Sequence, residues 1–96
     1  MNPSSVLLEK KEAVKALSRR FPVSNVRLFG SVLHDRYHSS SDVDLLVDAL
    51  PGATLFDLGG LQVELEELLG CRVDLLTPQD LPLAFRARVL AEAKPL

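Results

Sequence analysis

Asp42 and Asp44 stand two residues apart in the run Asp42-Val43-Asp44-Leu45-Leu46-Val47-Asp48, whose other members are mostly β-branched or aliphatic. Alternate residues of a strand project to one face, so this spacing predicts two carboxylates side by side on one surface of a sheet. Like charges there repel. At a solvated strand end the pair would be harmless. Held against two divalent cations about 3.5–4 Å apart it would be neutralised, and such a site activates an attacking oxygen while stabilising a leaving one. Mg2+ is the cation that suits carboxylate and phosphate oxygens, with Mn2+ as its substitute.

Two further features bear on the same chemistry. Gly30-Ser31 ends the short apolar run Val26-Arg27-Leu28-Phe29 and opens what reads as a brief helix through Asp35. Free backbone N–H groups and the Ser31 hydroxyl can face an anion there, and glycine permits close approach. Asp74 alternates with Val73 and Leu75 in a third apolar run, which directs its carboxylate either to solvent or to a site. Taken alone, each has an ordinary reading, as a strand-to-helix turn and a solvent-facing acid. Taken together, an anion-binding turn and three carboxylates on strands form a constellation that no sheet needs for folding.

The elements that must position these groups alternate along the chain. Val6, Leu7, Ala13, Val14 and Leu17, set among charged residues, predict a first helix over residues 4–20. Strands are expected at Val26–Phe29, Asp42–Asp48 and Cys71–Leu76. Between the last two, Thr54 and Asp57 have capping-box spacing, Leu58, Leu61, Leu65, Leu68 and Leu69 recur at helical intervals, and Gly70 ends the run. Gly59 and Gly60 oppose that helix at about 0.8–1 kcal/mol each relative to alanine. Thr77-Pro78-Gln79-Asp80 predicts the start of a last helical region, with Pro82 in its first turn. The order α-β-α-β-α-β-α implies an α/β (α+β) class. A small mixed sheet would carry Asp42, Asp44 and Asp74 on adjacent strands, with helices packed mainly on the opposite face.

Composition bounds the rest. At 96 residues, 47% hydrophobic and 25% charged, the chain is expected to be one soluble globular domain over residues 1–96. A formal net charge of −2 argues against strong binding of long nucleic acids. No apolar run is long enough to span a bilayer, and the single cysteine, Cys71, expected buried at the start of a strand, suits a reducing cytoplasm. One cysteine with His34 and His38 does not make a zinc set, and Asp42-Val43-Asp44 runs into strand rather than a calcium-loop turn. Lys10-Lys11-Glu12 and Glu64-Glu66-Glu67 read as solvated helix faces. Arg86-Ala87-Arg88 reads as a solvated basic face that could also meet a partner.

Gly30-Ser31, nine intervening residues, then Ser41-Asp42-Val43-Asp44-Leu45-Leu46-Val47 resembles the signature of the DNA polymerase β nucleotidyltransferase superfamily, in its minimal, MntA-like branch. The resemblance extends over nearly the whole chain, through Val73-Asp74-Leu75-Leu76 to Arg88-Val89-Leu90-Ala91-Glu92. It implies a palm-like core in which Asp42, Asp44 and Asp74 hold two Mg2+ ions and Asp74 helps activate an acceptor hydroxyl. Gly30, Ser31 and Ser41 would hold the nucleotide of ATP. Many members carry arginine three places after the serine; here that place is His34, with Arg36 two further on, so both are candidates for the triphosphate. The shortness of the chain, with no further domain to shape an acceptor pocket, resembles antitoxins paired with HEPN-domain toxins. The implied activity is transfer of AMP to a tyrosine of that toxin. The alternatives are a catalytically weak module that neutralises a HEPN partner by contact, and a small-molecule nucleotidyltransferase of the aminoglycoside type.

Overall fold

The computed structural model describes residues 3–29 and 42–96. Gly30, Ser31, His34, Arg36, His38, Ser41 and the brief helix expected through Asp35 lie outside the described residues. Four strands, β1 (Val23–Phe29), β2 (Val43–Ala49), β3 (Val73–Leu76) and β4 (Lys94–Pro95), form one sheet in the order β3-β2-β1-β4. Helices are α1 (Pro3–Glu9), α2 (Lys11–Ser18), α3 (Leu55–Leu69) and α4 (Leu83–Glu92), with a 3-10 turn at Pro78–Asp80. β1 runs antiparallel to both β2 and β4, whereas β2 and β3 are parallel. That parallel pair needs a crossover, which α3 supplies. The sheet is mixed, as expected.

β2 reads as a continuous apolar run because it is buried on both faces. Val43, Leu45 and Val47 join Leu7 of α1, Val14 of α2 and Leu61, Leu65 and Leu69 of α3 in the larger core. Leu46 points the other way, with Phe29, Leu81 and Val89, into a smaller cluster under α4. Three helices therefore cover one face, and the face bearing the even-numbered residues of β2 is left to α4.

Both ends of α3 follow its sequence. Thr54 and Asp57 close the capping box, and Gly70 caps the C-terminus in the left-handed conformation at φ 69°, which glycine adopts without penalty. Elsewhere distant groups redraw the expected boundaries. The first helix divides at Lys10, whose Nζ donates to the Leu68 carbonyl at 2.7 Å. Leu68 lies in the last turn of α3, where carbonyls lack intrahelical partners and the dipole favours a cation. β1 starts at Val23, three residues early, and its register slips between Ser24 and Arg27 at a bulge. Asn25 occupies that bulge at φ 57°, a conformation asparagine tolerates better than most residues.

The third strand begins at Val73 rather than Cys71, and it lies on the sheet edge. Its outward N–H groups are satisfied from α3: Val73 donates to Glu66 Oε2 at 3.0 Å and Leu75 to Gln62 Oε1 at 3.3 Å. Glu66 is thus half-buried and bonded to the strand, which corrects its reading as a solvated face residue. Thr77 and Asp80 close a capping box around the 3-10 turn, and Pro82 directly precedes α4, so the last helical region is two elements. Arg86 is likewise no solvated residue, since its Nη2 donates to the carbonyls of Gln79 and Leu81 and clamps the turn to α4.

Candidate active site

The parallel register of β2 and β3 sets Asp44 directly beside Asp74. Registered residues of neighbouring strands lie about 4.8 Å apart and project to the same face, so the two carboxylates share one surface. It is the face of Leu46 and Leu76, opposite the three-helix core. Asp44 is 4% exposed and Asp74 half-buried. In the other direction Asp44 pairs with Phe29, the residue before Gly30. Phe29 and Asp42, the described residues on either side of positions 30–41, thus both lie at the carboxylate end of β2.

Asp42 precedes β2 by one residue and is more exposed. Its Oδ2 accepts from the backbone N–H of Arg72 at 3.1 Å, with the Arg72 Nε 3.7 Å away. Its own N–H donates to the Arg72 carbonyl at 2.9 Å, so Asp42 is latched to the entrance of β3. Among the described residues no group of three or more His, Cys, Asp or Glu is arranged around a common metal position. The donor chemistry nevertheless fits a hard divalent cation: Asp44 and Asp74 offer carboxylate oxygens from adjacent rigid strands, and Asp42 lies two residues from one of them. Arg72 escaped notice in the sequence. Its signal was a lone cation immediately before Val73-Asp74-Leu75-Leu76.

Next to Asp42 stands Cys71, half-buried, whose thiol is pushed above its ordinary pKa by burial first, then by the negative charges of Asp42 and Glu66. It is a proton-holding neighbour of the site and a poor nucleophile at neutral pH.

Residues 10–96 match the sequence model of the family described as nucleotidyltransferase domain. This chain belongs to that family. Among its relatives, a candidate protein adenylyltransferase of Methanocaldococcus jannaschii is 35% identical over 85 residues, covering 88% of this chain and 91% of that protein. The protein adenylyltransferase MntA of Thermococcus cleftensis is 38% identical over 78 residues, covering 81% of this chain and 79% of MntA. A solved structure described as a candidate minimal nucleotidyltransferase superposes with TM-score 0.78 at 42% identity, over 100% of this chain and 97% of that one. A toxin–antitoxin structure with AMP-PNP superposes at TM-score 0.64 and 23% identity, over 88% of this chain and 69% of that one, a likeness of fold. The protein is a nucleotidyltransferase of the minimal form that the Gly30-Ser31 and Asp42-x-Asp44 motifs resemble. No helix among the described residues is long and apolar enough to cross a membrane.

Proposed function

We propose that this nucleotidyltransferase moves AMP from ATP to a hydroxyl of a partner protein, as the antitoxin of a toxin–antitoxin pair in the cytosol, with a tyrosine of a HEPN-domain toxin as acceptor. The observation that carries the reading is the registered Asp44–Asp74 pair at the end of the sheet where Phe29 leads into Gly30-Ser31. The T. cleftensis relative's name, protein adenylyltransferase, supports a protein acceptor. Related folds solved as the MntA-HpeT toxin–antitoxin pair support the toxin.

In this reading Asp42, Asp44 and Asp74 hold Mg2+, which supplies neutralisation of the charge developing on the phosphate oxygens. Asp74 orients the acceptor hydroxyl and takes up its proton. The hydroxyl oxygen bonds to the α-phosphorus, the bond from that phosphorus to the β-phosphate oxygen breaks, and pyrophosphate leaves. Gly30, Ser31 and Ser41 grip the triphosphate by backbone and hydroxyl donors, and His34 and Arg36 stand in for the arginine of other members. Catalysis then rests on positioning and electrostatics, with no protein nucleophile.

Asp42's latch on Arg72 favours one rival, an antitoxin that silences its partner by contact without transfer. A single experiment separates the two. The protein is mixed with labelled ATP, Mg2+ and the toxin encoded beside it, and both chains are weighed by intact mass spectrometry. One AMP added to the toxin, lost in Asp74→Asn while the complex persists, supports transfer. A tight, silencing complex that never gains AMP on either chain would show the contact-only antitoxin instead.

A further inference from the structure

On the sheet face opposite the carboxylates, a cleft of about 280 Å3 opens between the last turn of α2 and the outer edge of β1. Val23, Val26, Pro95 and Leu96 give it an apolar floor, and Lys15 of α2 and Arg19, the residue that caps the C-terminus of α2, also line it. The two cations are four residues apart, so they emerge on one side of the helix about 6 Å from each other. Among the described residues no lining side chain is acidic. Among the described residues neither cation takes part in an ion pair. This contrasts with Arg20 beside them, which meets Glu64, and with Arg27, which meets Asp48.

The sheet edge at this cleft is incompletely covered. β4 pairs with β1 only at Arg27 and Leu28, and the last bond between them runs from Leu96 N–H to the Val26 carbonyl. Beyond it Ser24 and Asn25 are exposed, and among the described residues no strand pairs with them on that flank. An extended chain laid along this flank would place an apolar side chain on Val23 and Val26 and a neighbouring carboxylate between Lys15 and Arg19.

We propose that this cleft binds an acidic, extended segment of a partner protein. Charge and shape select that occupant. A long nucleic acid would need far more than two cations on a chain of net charge −2. A free phosphate would find one half-buried and one exposed cation with no fully buried donor, little better than a surface pair. A peptide combines both halves of the site, burying apolar side chains on the floor while its carboxylates meet the cations. The site is independent of nucleotide transfer, because it lies across the sheet from Asp44 and Asp74.

The probe is a fluorescein-labelled octapeptide of alternating glutamate and valine, titrated into the full chain at low salt and followed by anisotropy and by backbone amide NMR. Binding is expected with shifts at Ser24, Asn25, Val26 and the last turn of α2, and it should weaken as salt rises. The double variant Lys15→Glu with Arg19→Glu should weaken it at least about tenfold, because two attractions become repulsions. Lys15→Gln with Arg19→Gln should fall between, a check against misfolding of the reversed variant. The proposal is overturned if the matching lysine–valine peptide binds as well, if charge reversal leaves affinity unchanged, or if the shifts map to another face. Absence of binding overturns it too, as does inorganic phosphate competing at the cleft with equal affinity.

Discussion

Asp48 is the charge on which the β1–β2 hairpin is braced, and removing it should be costly in a calculable way. The Arg27 side chain, only 12% exposed, donates from Nη2 to Asp48 Oδ1 at 2.7 Å, and Asn25 Nδ2 donates to Oδ2 at 3.1 Å. Asp48→Ala deletes both bonds and leaves a largely buried cation without its anion. Breaking a fully buried pair costs about 3–5 kcal/mol. Asp48 itself is 42% exposed, so water reaches the vacated space and about 2 kcal/mol is the reasoned value. For a domain of this size that corresponds to about 8–16 °C in Tm. Arg27→Met should cost less, because a long apolar stem fills the site without stranding a charge. The double variant should then recover part of the Asp48→Ala loss, giving a coupling of about 1.5 kcal/mol in a thermal or urea double-mutant cycle. Additivity within about 0.3 kcal/mol would refute the reasoning and reduce the pair to a surface contact.

Asp44→Asn and Asp74→Asn should each lower AMP transfer by at least about 10³-fold with unchanged far-UV circular dichroism, because asparagine keeps the size of the side chain and an accepting oxygen while removing the charge; retained activity in either would remove that residue from the site. Gly70→Ala, forced to hold φ 69°, should cost about 1 kcal/mol in urea denaturation, whereas an unchanged midpoint would mean the helix end relaxes freely. Burial, Asp42 and Glu66 raise the Cys71 pKa in the folded state, so the fold keeps a proton that the unfolded chain releases. Its contribution to stability is therefore fully present below the unfolded thiol's range and is lost as pH rises through it toward the folded value. Urea midpoints of wild type should drop more than those of Cys71→Ser between pH 7 and pH 9.5, and parallel drops would contradict the shift.

What could be read from the chain alone was whatever rests on contacts a few residues long. The Thr54–Asp57 box and the Gly70 cap depend on backbone geometry within one turn, and the alternation of Asp42 and Asp44 with aliphatic neighbours states a strand and its faces. The motif spacing carried the family. The sequence could not show that Lys10 breaks a helix to reach Leu68, 58 residues away. Nor could it show that Glu66 and Gln62 turn inward to satisfy an edge strand, that Arg86 serves a turn rather than solvent, or that Asn25 bulges β1 over Asp48. Each of these polar side chains has the same solvated alternative in any short window. Only the packed chain decides which buried donor or carbonyl would otherwise go unpaired. The register that sets Asp44 beside Asp74 belongs to the same class. A one-residue slip of β3 would have turned Asp74 into the helix-covered core and Val73 or Leu75 out of it, so the burial of Val73 and Leu75 under α3 is what aims the third carboxylate.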